Sequence, residues 1–353
     1  MSESAAEARL TIDLDALAAN HTLLRRLAGG AEVTPVVKAD AYGLGVGPVA
    51  LRLAAEGARG FFVARVAEGE ELRGVLGGGP TIYVLDGCPP GVGRRLEEAA
   101  LTPVLNSLEQ VRDWSGRPCA LHVDTGINRL GVTVSEASAL AASGLSPQVL
   151  MSHLACADIP GHPMNARQLH AFVGLRSLFP AARACFANSG GLFLGSDYHF
   201  DMVRPGITLY GGGPFEASDA RIAPVVTFDA PILQVRETAA GDAVGYGAGF
   251  VTERPTRIAI VAAGHADGVL RAAYPSGQVW FAGDRRAVLG RISMDLVAVD
   301  VTGCDAARPG ALVQLLGDKI LLDEAAAAAG TISYEVLTRL SPRARRVWRG
   351  SAA

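Results

Sequence analysis

The sequence predicts an α/β protein: a (β/α)8 barrel of the TIM type followed by a smaller, mainly β C-terminal domain. Three observations carry this. From about Leu10 to Gly211, short runs rich in Val, Ile or Leu alternate with helical stretches. These runs number about eight, which suits a barrel better than a doubly wound sheet. After Tyr210 the texture changes to alternating residues and turns, and a chain of 353 residues exceeds the length at which one hydrophobic core stops growing.

The barrel strands are predicted at Val33–Lys38, Gly60–Ala64, Thr81–Leu85, Pro103–Asn106, Ala120–Asp124, Val149–His153, Arg183–Asn188 and Gly206–Tyr210. Between them lie Ala- and Leu-rich segments such as Asp15–Leu27, where Leu17, Leu23, Leu24 and Leu27 share one side of a helix. The alanine tracts at 54–58, 137–142 and 325–329 read as closely packed helices, alanine being the strongest helix former. Gly211-Gly212-Gly213-Pro214 has the composition of a linker. Beyond it, Val225–Phe228, Ile232–Val235, Arg257–Val261 and Val297–Val301 read as strands. The expected domains are 9–215 and 220–353, with residues 1–14 packing against the second.

Composition narrows the function. With 49% hydrophobic and 19% charged residues the chain is an ordinary globular protein, and its formal charge of -3 gives no general attraction to nucleic acid or anionic membrane. No apolar run reaches the about 18 residues of a membrane span, and MSESAAEARL is acidic where a signal peptide is basic. A cytoplasmic protein acting on a small molecule is expected. The five cysteines are scattered without a C-x-x-C pair, so neither a disulfide framework nor a metal site is predicted. Of the 32 Lys plus Arg, only Lys38 and Lys319 are lysine. An arginine does not lose its proton; a lysine can.

Lys38 ends an apolar strand and precedes a glycine-containing loop, Val36-Val37-Lys38-Ala39-Asp40-Ala41-Tyr42-Gly43-Leu44-Gly45. On a barrel that end faces the active site, where a desolvated amine becomes nucleophilic. The decapeptide closely resembles the pyridoxal-phosphate (PLP) lysine motif of the alanine racemase family, whose members are fold type III PLP enzymes. Further matches follow in the family's order at Asp124–Gly131, Ser152–Asp158, Ala187–Ser189, Val203–Ile207, Val244–Gly247 and Gly290–Asp295. They span nearly the whole chain.

The resemblance implies an amino-acid racemase interconverting L- and D-alanine by two bases, supplying D-alanine for peptidoglycan. Lys38 would hold PLP as a Schiff base. Tyr42, Ser189 and the backbone of Gly206 and Ile207 would hold its phosphate. Arg204 would face the pyridine nitrogen, supported by His153. Lys38 would serve one face of the substrate Cα and Tyr246, from the second subunit of a homodimer, the other. Arg129 and the backbone of Met294 would meet the substrate carboxylate.

Four residues depart from the family pattern. His122 stands where many members carry a carbamylated lysine that positions the arginine matching Arg129; either another acceptor orients Arg129 or a small anion binds there. His265 stands where a gate tyrosine is usual, Pro342 where many members place a second phosphate-binding tyrosine, and Ser293 where cysteine is frequent. His265 and Pro342 keep open racemisation of serine or of a broader set of amino acids. A PLP decarboxylase fits Arg204 poorly, and a non-enzymatic PLP-binding barrel lacks the β domain and Tyr246.

Overall fold

The computed structural model describes residues 7–351; residues 1–6, on which part of the N-terminal reading falls, and the last two lie outside the described residues. The chain divides into two compact units, one of Leu17–Leu209 with Ser351, the other of residues 7–16 with Tyr210–Gly350. No helix among the described residues is long and apolar enough to cross a membrane.

Strand β1 (Arg9–Asp13) belongs to the second unit and leads into the helix Leu14–Ala28. That helix starts where the Asp13 carboxylate accepts the Asp15 and Ala16 N–H groups, both at 2.9 Å. The first unit then builds a parallel sheet from β2 (Glu32–Val33), β3 (Gly60–Val63), β4 (Thr81–Val84), β5 (Thr102–Leu105), β6 (Ala120–His122), β7 (Val149–Met151), β8 (Arg183–Asn188) and β9 (Met202–Arg204). Its order is β2-β9-β8-β7-β6-β5-β4-β3. The two ends are joined by a parallel bridge between Val36 and Phe62, where the Phe62 N–H donates to Pro35 O at 2.8 Å and the Val37 N–H to Phe62 O at 2.9 Å. Helices cover the strands, so both strand faces are apolar, as in the fully buried β3 and β6.

The structure corrects two predicted strands. The last barrel strand is Met202–Arg204, not Gly206–Tyr210, whose Ile207–Leu209 forms a 3-10 turn. Pro205 has no N–H to give a ladder, and the Leu209 N–H turns back to Gly206 O at 2.9 Å. The first strand pairs regularly only at Glu32–Val33 and resumes as the single bridge at Val36, because Pro35 interrupts it in the same way.

In the second unit a 13-residue strand, β10 (Val226–Thr238), merges two runs expected to be separate. It carries register shifts at Phe228/Asp229 and Ile232/Gln234, flanking Pro231. There follow β11 (Ala243–Val244), β12 (Phe250–Val251), β13 (Thr256–Val261), β14 (Gln278–Phe281), β15 (Asp284–Ala287), β16 (Val297–Asp300), β17 (Leu312–Leu316) and β18 (Arg345–Arg349). The first half of β10 pairs with β17 and with β1, and its second half with β13. β1 lies between β10, antiparallel, and β18, parallel.

Candidate active site

The C-terminal ends of the barrel strands gather the site. After Val37 the chain makes one left-handed turn, with φ of 53°, 55°, 52° and 57° at Ala39, Asp40, Ala41 and Tyr42. Side chains rarely tolerate this conformation, so contacts must hold it. The Glu68 carboxylate accepts the Ala39 N–H at 2.9 Å, while its other oxygen accepts those of Ala64 and Arg65. Asp40 accepts the Val46 N–H at 2.6 Å and so starts the next helix. Lys38 thereby leaves the strand on a fixed turn. Burial first, then Arg129, then Arg204, push its ammonium below the ordinary lysine range, with Glu68 and Asp86 opposing.

Tyr42 is buried, and its hydroxyl lies against Gly206: a Cβ there would stand 2.2 Å from that oxygen. The Gly206 N–H donates to Ser189 Oγ at 2.9 Å, and Thr208 Oγ1 donates to the same oxygen at 3.2 Å. Ile207 follows, buried, at the start of the 3-10 turn. Hydroxyls and a bare backbone converge here, which suits an anion brought close to the main chain.

Arg204, buried at the end of β9, donates through Nη2 to Ser152 O at 2.7 Å and Phe186 O at 3.3 Å. Its Nη atoms lie 3.5 Å from His153 Nδ1. Its Nε–H is buried with no partner among the described residues. Burial, then Arg204, hold His153 well below the usual imidazole range, so it is neutral.

Arg129 sits on a loop organised by Asp124, whose carboxylate accepts the N–H groups of Gly126 at 2.7 Å, Ile127 at 2.9 Å and Arg129 at 3.3 Å. Its guanidinium is exposed and has no partner among the described residues. Gln168, fully buried, ties this loop to the end of β7 by donating to Thr125 Oγ1 and His153 O.

Tyr246 and Met294 belong to the second unit and are exposed there. Gly245 and Gly290 let their segments approach: a Cβ on Gly290 would lie 2.5 Å from Val244 O, and one on Gly245 3.3 Å from Arg291 N. The backbone of His265 and Ala266 pairs with Ser293 O at 3.0 Å and Met294 O at 2.9 Å. The Val244–Gly247 and Gly290–Asp295 motifs and the segment of His265 therefore meet on this unit. Pro342 is exposed on the turn before β18. Sequence reasoning assigned no role to Glu68, Asn106 or Gln168; the first two stand as polar residues at or just after a predicted strand end, and Gln168, inside the helix Pro163–Leu178, gives no signal at all.

Two family patterns divide the chain: "Alanine racemase, N-terminal domain" matches residues 12–214 and "Alanine racemase, C-terminal domain" matches 225–348. The chain belongs to the alanine racemase family. An alanine racemase of Dinoroseobacter shibae is 47% identical over 99% of this chain and 100% of its own length. A catabolic alanine racemase of Agrobacterium fabrum is 43% identical over 97% of this chain and 92% of its own. Among solved structures, the alanine racemase of Bartonella henselae, which carries covalently bound pyridoxal phosphate, superposes with a TM-score of 0.92 at 36% identity, covering 98% of this chain and 100% of that one. The expected architecture, a parallel eight-stranded barrel followed by a mainly β domain, is the one observed, and the chain shares its fold with this alanine racemase structure.

Proposed function

We propose that this chain is a PLP-dependent racemase that interconverts L- and D-alanine. The observation that carries the reading is the pairing, at one end of the barrel, of a lysine with a depressed pKa and a buried arginine whose Nε–H lacks an acceptor, in a chain of the alanine racemase family. Those residues fit the cofactor. The Lys38 amine suits its aldehyde, Arg204 Nε–H suits its pyridine nitrogen, and the cradle of Tyr42, Ser189, Gly206 and Ile207 suits its phosphate. When bound, PLP draws electrons from the substrate Cα and so acidifies the proton there.

This chain's residues do the rest. Lys38, its ammonium pushed below the ordinary lysine range, takes or returns the Cα proton on one face. Tyr246 of a second copy exchanges a proton on the other, since inversion needs an acid/base group on each face. The Arg204 guanidinium, a donor only, would hold the pyridine nitrogen and disfavour its protonation. His153, neutral, lies against the Arg204 guanidinium. Arg129 and the Met294 backbone bind the carboxylate. The unit is a cytoplasmic homodimer supplying D-alanine for peptidoglycan, with domains at 9–215 and 220–353, a division supported by the two family matches.

The test is racemisation of L- and D-alanine by the purified protein with PLP. Lys38→Ala is expected to abolish turnover in both directions and to remove the absorbance of the protein-bound cofactor. A folded, PLP-loaded wild type that racemises neither isomer overturns the reading; kcat/KM for serine beside alanine fixes the preferred side chain.

A further inference from the structure

His122 is buried on β6, among the cations of the site. Its Nδ1 lies 2.8 Å from Asn106 Oδ1. The orientation of that amide is fixed, because Asn106 Nδ2 donates to two backbone carbonyls, Leu85 O at 2.8 Å and Val104 O at 2.7 Å. An amide oxygen only accepts, so His122 Nδ1 must carry the proton. Nε2 is then a bare lone pair, and it is buried without a partner among the described residues. A buried acceptor without a donor is costly, at roughly 1–3 kcal/mol.

The charged groups around the imidazole are Arg204, Asp124 and Arg129. Asp124 has nothing to donate, and its oxygens are taken by backbone N–H groups. Arg204 gives Nη2 to carbonyls, turns both Nη atoms to His153, and keeps Nε for the ligand. Of the three, the Arg129 guanidinium alone has no hydrogen-bond partner among the described residues. A small anion does not suit the position, since a lone pair faces it. Receiving one would require an imidazolium, and burial, then Arg204, push the His122 pKa down to about 4.

We infer that His122, locked by Asn106 with its proton on Nδ1, is the neutral acceptor that positions the Arg129 guanidinium for the substrate carboxylate. This rests on the reading of Arg129 as the carboxylate anchor. A neutral acceptor orients the guanidinium without cancelling its charge, so the full positive charge faces the substrate. His122 is a positioning residue; it touches no reacting atom.

The test has two arms. In the first, imidazole 15N shifts are read on the PLP-loaded protein at neutral pH, His122 being identified among the seven histidines by its loss in His122→Gln. Expected is a protonated Nδ1 and an unprotonated Nε2 whose shift moves in Arg129→Ala. An imidazolium, the opposite tautomer, or an Nε2 shift indifferent to Arg129→Ala overturns the inference, whether or not the protein racemises alanine. In the second arm, His122→Leu should raise the KM for alanine about tenfold with kcat within about threefold, and His122→Gln, which keeps an acceptor, should recover most of the loss. The KM effect should vanish in an Arg129→Lys background. An unchanged KM in a folded His122→Leu protein, or a wild-type KM that depends on chloride, overturns it. A wild type without turnover sinks the functional reading and leaves the first arm to judge this one.

Discussion

His21 lies in the helix Leu14–Ala28 at 1% exposure, and neither ring nitrogen has a partner. Burial, then Arg25, lower its pKa to about 4 against an opposing Glu56. An unfolded histidine titrates near 6.5, so between about 4 and 6.5 the unfolded chain binds the extra proton. Stability is therefore unaffected above that window, falls as the pH drops through it, and stays low beneath it. The loss from this one residue is about 3 kcal/mol at the bottom of the window. His122 and His153 shift in the same direction and add to it. His21→Leu should raise stability at pH 7.5 by about 1 kcal/mol, by removing buried polar atoms, and should flatten the acid slope. Urea unfolding at several pH values checks both; a destabilised protein with an unchanged slope would show that His21 is satisfied in solution.

Turns, more than strands, decide the site at the next scale. Each residue of the left-handed turn after Lys38 costs roughly 1–2 kcal/mol, so the Glu68 carboxylate, which accepts three backbone N–H groups, sets the exit angle of the lysine. Glu68→Ala should lower stability by about 2 kcal/mol and weaken PLP binding about tenfold, with Glu68→Gln between. Absorbance titration with PLP measures it, and full affinity in a destabilised Glu68→Ala would show that the turn holds itself. None of this was legible in the sequence, because the role of Glu68 depends on the Ala39 backbone 29 positions away. The same holds for Asn106 and Gln168, whose partners His122, Leu85, Thr125 and His153 are 15 to 43 positions away. Strand positions read better, since a buried parallel strand is a short apolar run whatever surrounds it. The last barrel strand escaped because Met202-Val203 stands between Asp201 and Arg204, while the apolar stretch from Ile207 to Tyr210 looked like the better strand. Arg204 itself was found through its motif; its unpartnered Nε–H belongs to the fold alone.

At the scale of the whole molecule, the proposed homodimer makes a prediction that neither base makes alone. If Tyr246 serves the site of a second copy, mixing Lys38→Ala with Tyr246→Phe under subunit exchange restores one working site in each mixed dimer. Random pairing then gives about a quarter of wild-type activity. Recovery of none would place both bases on one chain. Position along the sequence also misleads about order of assembly. β1 faces Asp229 and its neighbours, 220 positions later, and on its other edge Arg345–Arg349. Leu10 and Ile12, fully enclosed in the finished sheet, therefore leave the ribosome with neither flanking strand yet made. The barrel can close while translation continues, but the second sheet must wait until Arg345–Arg349 have been made. A message cut short before the codon of Arg345 would yield a chain whose first strand stays open along one side.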